Sequence, residues 1–332
     1  MKTIILCDEI DTVSYVYPDV ILNELREDGF DGQKYKKHDV INTPELFRDT
    51  EYIFSTWGMP VFNEEEIKRF FPKLKCVFYA AGTVQTFARP FIRCGVKVFS
   101  AWAANAVPVA EYTVSQIILA NKGFYTTSRI FKNKDYEKAR EVFSNYRGNY
   151  GSVVGIIGAG MIGKLVIKML KDYKVKVKVF DPFLPDEVAM KLGAEKVSLK
   201  EIFSSCTVVS NHLANNEQTK NILNYKLFTL MPKYAAFLNT GRGAQVVEND
   251  LIRLLEERPD VMAVLDVTFP EPPLYDSKLY TLDNCILTPH IAGSSGDEVH
   301  RMAEYIMEEF KNFKDNKPCK YEVTEKMLET MA

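Results

Sequence analysis

The chain has 332 residues, more than one compact domain usually holds, so its length predicts two domains. Hydrophobic residues make up 46% and charged residues 26%, ordinary proportions for a soluble globular protein. The net charge is −2 and Lys and Arg are scattered along the chain, which argues against a nucleic-acid partner or an anionic membrane surface.

The amino terminus enters an apolar, strand-like stretch at once, Thr3-Ile4-Ile5-Leu6, without the features of a secretion signal. No apolar run approaches the ~20 residues of a transmembrane helix, so no membrane association is expected. Six cysteines (Cys7, Cys76, Cys94, Cys206, Cys285, Cys319) form no C-x-x-C pair and read as buried thiols of a reducing cytoplasm. Four histidines (His38, His212, His290, His300) make neither H-x-x-x-H nor H-E-x-x-H, so no metal site is expected.

In the first hundred residues, Ile4–Cys7, Tyr52–Ser55 and Cys76–Ala80 read as buried parallel strands, with helical spacing in segments such as Glu64–Phe71. That alternation predicts an α/β layer. Pro108 suits the first turn of a helix, and Ala110, Val114, Ile117, Ile118 and Asn121 continue its period. The pattern predicts one long helix from about Pro108 to Phe131, linking two domains. After a polar loop at Ser144–Gly151 comes a second α/β run. Its expected elements are strand Val153–Ile157, helix Gly160–Tyr173, strand Val175–Phe180 and strands at Thr207–Ser210, Ala235–Asn239, Val261–Asp266 and Cys285–Thr288.

Between the first strand and helix of this run stands Gly158-Ala159-Gly160-Met161-Ile162-Gly163. A Gly triplet alone is a weak signal, but an apolar strand before it and an amphipathic helix after it supply the context of a dinucleotide site. Gly158 permits the tight turn, Gly160 lets the backbone approach a pyrophosphate, and Gly163 lets helix and strand pack closely. The phosphates then meet free N–H groups at a helix amino end. Strand Val175–Phe180 ends at Asp181, whose carboxylate suits the two ribose hydroxyls and repels a 2′-phosphate. No Arg or Lys occupies 182–184, so NAD is expected rather than NADP. Lys176 and Lys178 alternate with valines in that strand, whose start is expected to protrude past the covering helices.

Three charged residues follow later strands. Arg242 lies in Asn239-Thr240-Gly241-Arg242-Gly243, Glu271 in Asp266-Val267-Thr268-Phe269-Pro270-Glu271-Pro272, and His290 in Thr288-Pro289-His290. Ligands of open α/β sheets bind beyond the carboxyl ends of strands, where all three stand. Reduction of a 2-oxo acid needs such a set. A planar, always charged guanidinium grips the carboxylate. An imidazole, which exchanges protons near neutral pH, protonates the new alcohol. A carboxylate beside the ring orients it and favours the imidazolium.

With these motifs the sequence resembles the D-isomer-specific 2-hydroxyacid dehydrogenase family over almost its whole length. The matching stretches are the glycine motif, Phe180-Asp181-Pro182, Asn239-Thr240-Gly241-Arg242-Gly243, Leu265-Asp266-Val267, Pro270-Glu271-Pro272 and Leu287-Thr288-Pro289-His290-Ile291-Ala292-Gly293. The resemblance implies that Arg242 binds the carboxylate, that His290 is general acid in reduction and base in oxidation, and that Glu271 is its partner. Asp266 resembles the family's nicotinamide-carboxamide ligand. His212, Thr240 and Gly293 join Gly158, Gly160, Met161, Ile162, Gly163 and Asp181 as expected cofactor contacts. Ala80-Ala81-Gly82-Thr83 resembles the turn whose N–H groups hold the substrate carboxylate, so Ala81 and Gly82 are expected there, with Trp57 walling the pocket. Asn105 and Val109-Ala110-Glu111 match the start of the family's interdomain helix. The chain departs from the family at Val84-Gln85-Thr86, which replaces an Asp-bearing turn, and at His212-Leu213-Ala214-Asn215-Asn216, which replaces His-x-Pro-Leu-Thr.

The resemblance implies two Rossmann-like, doubly wound parallel-sheet domains, with residues 101–294 as an NAD-binding domain inserted into a substrate domain of 1–100 plus 295–332. A homodimer through the NAD domain is expected from the family alone, as is a small 2-oxo or 2-hydroxy acid substrate of the glyoxylate or hydroxypyruvate type. Formate oxidation is disfavoured because formate dehydrogenases of the superfamily carry Gln where Glu271 stands. An NAD(H)-sensing scaffold of the corepressor type, with little turnover, is the alternative, since that branch keeps the Arg, Glu and His.

Overall fold

The computed structural model describes residues 2–329. Among them the strands run in chain order β1 (Lys2–Leu6), β2 (Phe30–Tyr35), β3 (Thr50–Ser55), β4 (Cys76–Tyr79), β5 (Lys97–Ser100), β6 (Val153–Ile157), β7 (Lys176–Phe180), β8 (Ala194–Lys196), β9 (Val208–Asn211), β10 (Ala236–Asn239), β11 (Met262–Leu265), β12 (Cys285–Leu287) and β13 (Glu322–Val323). The chain divides into two compact units, one formed by residues up to Asn105 together with those from Ser294 onward, the other by Ala106–Gly293.

The first unit holds a sheet in the order β13-β5-β4-β3-β1-β2. It is parallel except for β13, which runs antiparallel along β5. Its inner strands are apolar on both faces, as burial between helix layers requires. The late segment is stitched into this early sheet by packing as well as pairing. Phe310, on the helix His300–Lys314, sets its ring edge-on to Phe54 and Phe78 at 5.1 and 5.3 Å between centroids. Such pairs add stabilisation beyond the area they bury.

The second unit holds a sheet in the order β12-β11-β10-β9-β6-β7-β8, parallel throughout. The chain enters at β6, moves outward to β8, then returns to the far side of β6 and moves outward again to β12. The order therefore reverses between β6 and β9, and a crevice for ligands opens at such a switch point beyond the carboxyl ends of the strands.

Several expectations about elements are corrected. The single helix from Pro108 to Phe131 is two helices, Trp102–Asn121 and Phe124–Lys132. The first begins upstream because Ala103, Ala104 and Ala106 favour helix, and Pro108 lies inside it rather than in its first turn. Gly123 makes the break, at φ +66, and a β-carbon there would lie 2.4 Å from the Tyr146 ring. A further helix, Tyr136–Phe143, precedes the polar loop. Strands β2, β5, β8 and β13 were not expected. Lys176 is exposed, and Lys178 turns to the Glu201 carboxylate at 2.5 Å.

Candidate active site

Parallel strands put every carboxyl end of the second sheet on one edge. In spatial order that edge carries His290 after β12, Asp266 and Glu271 after β11, Arg242 after β10, His212 after β9, Gly158 after β6 and Asp181 after β7. The candidate catalytic residues thus occupy one half of the edge and the glycine motif the other, with the switch point between.

Gly158 adopts φ +89, and a β-carbon on it would lie 2.7 Å from the carbonyl oxygen of His212. On Gly163 one would fall 2.0 Å from the carbonyl oxygen of Gly158, so the helix Met161–Met169 approaches the loop as only glycine permits. Gly160 differs, because a β-carbon there would meet nothing within 4 Å. The helix amino end has no side-chain cap, so the first-turn N–H groups from Met161 and Ile162 onward are available to a phosphate. Asp181 lies against this loop, its Oδ2 accepting from Ala159 N at 2.7 Å and its Oδ1 from Phe183 N at 2.8 Å. Open space at Gly160, uncapped N–H groups and a carboxylate at the next strand end fit the pyrophosphate and ribose of a dinucleotide.

His212 is buried, and burial pushes its imidazole down to about 4, so the ring is neutral at physiological pH. Its Nε2 lies 2.9 Å from Ser210 Oγ, whereas Nδ1 has no partner among the described residues. A buried polar atom left over beside the glycine loop is the kind of group a ligand satisfies.

Arg242 is half-buried. Its Nη1 donates to the carbonyl of Gly241 at 2.8 Å, and among the described residues no carboxylate pairs with it. A buried amide cluster holds its loop. Asn239 Oδ1 accepts from Gly241 N at 3.1 Å and from Asn211 Nδ2 at 3.0 Å, while Asn239 Nδ2 donates to Arg242 O at 3.1 Å. Asn211 Nδ2 also donates to Gln245 Oε1 at 2.5 Å, and Gln245 Nε2 donates to the carbonyls of Leu213 and Ala214. The loops after β9 and β10 are therefore tied together, and the tie reaches the segment that departs from the family pattern. Gly243 presses its backbone against Thr268, where a β-carbon would lie 1.9 Å from the carbonyl carbon, so the Arg242 loop abuts the one that bears Glu271.

His290 Nδ1 and Glu271 Oε1 are 2.6 Å apart, with 49% and 42% of the side chains exposed. The Glu271 carboxylate fixes Nδ1 as the protonated nitrogen, which directs Nε2 outward with no protein partner among the described residues. His290 takes φ +56, uncommon for a side chain with a β-carbon. Its N–H donates to Asp266 O at 3.1 Å and Thr288 O at 3.0 Å. The Asp266 carboxylate, 2% exposed, accepts from Thr288 Oγ1 at 2.6 Å, Ile291 N at 2.8 Å and Ala292 N at 2.9 Å. Gly293 follows Ala292 in the chain. Thr240 Oγ1 is paired with Thr113 Oγ1 at 3.0 Å.

Trp57, Ala81 and Gly82 lie in the first unit, after β3 and β4. Trp57 is half-buried, its carbonyl accepting from Thr12 Oγ1 at 2.8 Å. Ser100 Oγ donates to the carbonyls of Ala81 and Gly82, while the N–H groups of both make no hydrogen bond among the described residues. A turn with pinned carbonyls and free amides can take an anion. Among the described residues no cluster of His, Cys, Asp and Glu could hold a metal ion, and no helix is long and apolar enough to cross a membrane.

Sequence reasoning missed Tyr112, Thr113, Asn211 and Gln245, all bonded into these loops. A polar pair ending an apolar strand, Ser210-Asn211 after Val208-Val209, was the one local signal for the amide cluster.

Residues 114–292 match the family described as D-isomer specific 2-hydroxyacid dehydrogenase, NAD binding domain. Among curated relatives, YoaD of Bacillus subtilis, which bears a 2-hydroxyacid dehydrogenase name, is 31% identical over 227 residues, 67% of this chain and 65% of that protein. The D-3-phosphoglycerate dehydrogenase of Methanocaldococcus jannaschii is 32% identical over 65% of this chain and 40% of its own length. The chain thus spans from about two fifths to just under two thirds of these relatives. A glyoxylate reductase of Korarchaeum cryptofilum is 26% identical over 81% of each chain. In fold, the phosphoglycerate oxidoreductase of Rhizobium etli superposes with a TM-score of 0.82 at 20% identity, covering 98% of this chain and 99% of that one.

Proposed function

The chain belongs to the D-isomer-specific 2-hydroxyacid dehydrogenase family, and on that basis we propose that it interconverts a small 2-oxo acid and the corresponding D-2-hydroxy acid with NAD(H), glyoxylate and hydroxypyruvate being the favoured substrates. The observation that carries this reading is the 2.6 Å pairing of His290 with Glu271 on the strand edge that also bears the unpaired guanidinium of Arg242.

NADH, when bound, supplies the hydride. Arg242 grips the substrate carboxylate and draws electron density from the 2-oxo group. His290 gives the proton of Nε2 to the oxygen that becomes the alcohol, and Glu271 holds Nδ1–H and so fixes the orientation of the ring. In oxidation the neutral ring takes the proton back. Gly158, Gly160, Met161, Ile162 and Gly163 hold the pyrophosphate and Asp181 the ribose. His212, Thr240, Asp266 and Gly293 line the remainder of the cofactor site, and Trp57, Ala81 and Gly82 contribute to substrate binding.

Residues 101–294 serve as the NAD domain and 1–100 with 295–332 as the substrate domain. Glyoxylate reductases among the relatives support the choice of substrate. A cytoplasmic location fits six cysteines that are all free. A homodimer fits the exposed Phe124, Phe131 and Tyr136 on two helices that bury almost nothing of their own.

The test is an initial-rate screen of glyoxylate, hydroxypyruvate, pyruvate and longer 2-oxo acids with NADH, with chiral analysis of the product. Turnover to a D-acid is expected for those that yield a chiral product. Tight NADH binding with negligible rate on every acid would instead identify a sensing scaffold.

A further inference from the structure

His290 holds a left-handed backbone conformation that its side chain disfavours, so something must hold the turn. Four donors converge on Asp266 from residues 288–292, three on its carboxylate and the His290 N–H on its carbonyl. One of the three, Thr288 Oγ1, has a single proton, and at 2.6 Å that proton goes to Asp266 Oδ1. The 3.1 Å bond between Thr288 Oγ1 and the Tyr112 hydroxyl is then donated by Tyr112. Burial pushes the Tyr112 phenol up, so it keeps the proton it donates. The result is a one-way chain, Tyr112 to Thr288 to Asp266, in which each bond polarises the next. Tyr112 stands mid-helix on Trp102–Asn121, beside Thr113, which bonds Thr240 in the loop of Arg242. One helical turn thus reaches both loops that carry the proposed catalytic groups.

We propose that Tyr112 is a positioning residue of this site, acting through Thr288 and Asp266 to hold the turn that aims His290. The proposal rests on the reading of His290 as proton donor. Tyr112 touches neither substrate nor cofactor in this account; its hydroxyl completes the chain that keeps the Asp266 carboxylate in place.

The test compares Tyr112→Phe, Thr288→Val and Thr288→Ser with the wild type, each alone and combined with His290→Asn. Loss of a hydrogen bond to a charged group predicts a kcat lower by about 10-fold in Thr288→Val and by about 3-fold in Tyr112→Phe. Thr288→Ser, which keeps the hydroxyl, should restore kcat. In the His290→Asn background neither Tyr112→Phe nor Thr288→Val should lower kcat further, because the group they position is gone. Without cofactor or substrate, the downfield proton resonance of the short His290–Glu271 bond, identified by its loss in His290→Asn, should shift or broaden in Thr288→Val and return in Thr288→Ser. Unchanged kcat in Thr288→Val and Tyr112→Phe, or an undiminished loss in the His290→Asn background, overturns the proposal and leaves the functional reading intact. A wild type that reduces no 2-oxo acid overturns both.

Discussion

Arg242 illustrates how residue type decides chemistry. The side chain is half-buried, its guanidinium donates only to the Gly241 carbonyl, the Asn239 amide holds its backbone carbonyl, and no carboxylate pairs with it among the described residues. Such an unpaired charge invites a planar anion, and a lysine would keep the charge but lose the two-pronged geometry. Arg242→Lys should therefore lower kcat/KM by roughly 10- to 150-fold, the loss of one charge-assisted bond, while NADH affinity changes little. Steady-state kinetics with fluorescence titration of NADH checks this; unaltered kcat/KM would remove Arg242 from the site. At this scale the sequence was informative where function concentrates in single charged residues at strand ends. It was silent on the pairing of Tyr112 with Thr288, which lie 176 positions apart and meet only because a helix crosses the strand edge.

Elements were legible in proportion to how fully they are buried. β6, β9, β10 and β11 sit inside the sheet and read as apolar runs because helices cover both faces. β2 and β8 lie at sheet edges, with polar or charged residues facing out, so neither carries that signal. The helix break at Gly123 was hidden because an apolar period continues through it; the space for the Tyr146 ring is a tertiary requirement. The fit between helix Met161–Met169 and the loop before it depends on Gly163. A methyl group there would strike the Gly158 carbonyl, which is backbone and cannot rotate away. Gly163→Ala should cost about 1–3 kcal/mol of stability, typical of overpacking. It should also weaken NADH binding, because the helix amino end is pushed off the loop. Thermal melts and NADH titration measure both effects; a variant with wild-type values in both would show that the close approach is unnecessary.

Across the whole molecule, the first sheet is completed by a segment more than 200 residues downstream, β13 against β5. No local pattern announces such a pairing, and only the resemblance to a family suggested an interrupted unit. Folding as a whole also senses His212. Its imidazole is held down at about 4 by burial, whereas in the unfolded chain it returns to about 6.5. Above pH 6.5 both states are neutral and nothing is lost. As pH falls from 6.5 toward 4, the unfolded chain takes up a proton that the native state refuses, so stability declines by up to about 3 kcal/mol. Urea unfolding at pH 7 and pH 5 should show wild type losing roughly 2 kcal/mol more than His212→Gln, which has no proton to gain. Equal losses would mean that His212 is protonated in the native state.

In the proposed reaction one proton moves with one hydride, His290 passes that proton, and Glu271, 2.6 Å away, holds the ring that passes it. The decisive measurement is kcat, in reduction and in oxidation, for wild type, His290→Asn and Glu271→Gln, with NADH titration of each. His290→Asn should lower kcat by about 10²–10⁴-fold in both directions while NADH binding stays nearly intact, and Glu271→Gln should lower it less. Wild-type kcat in His290→Asn would contradict the proposed proton path.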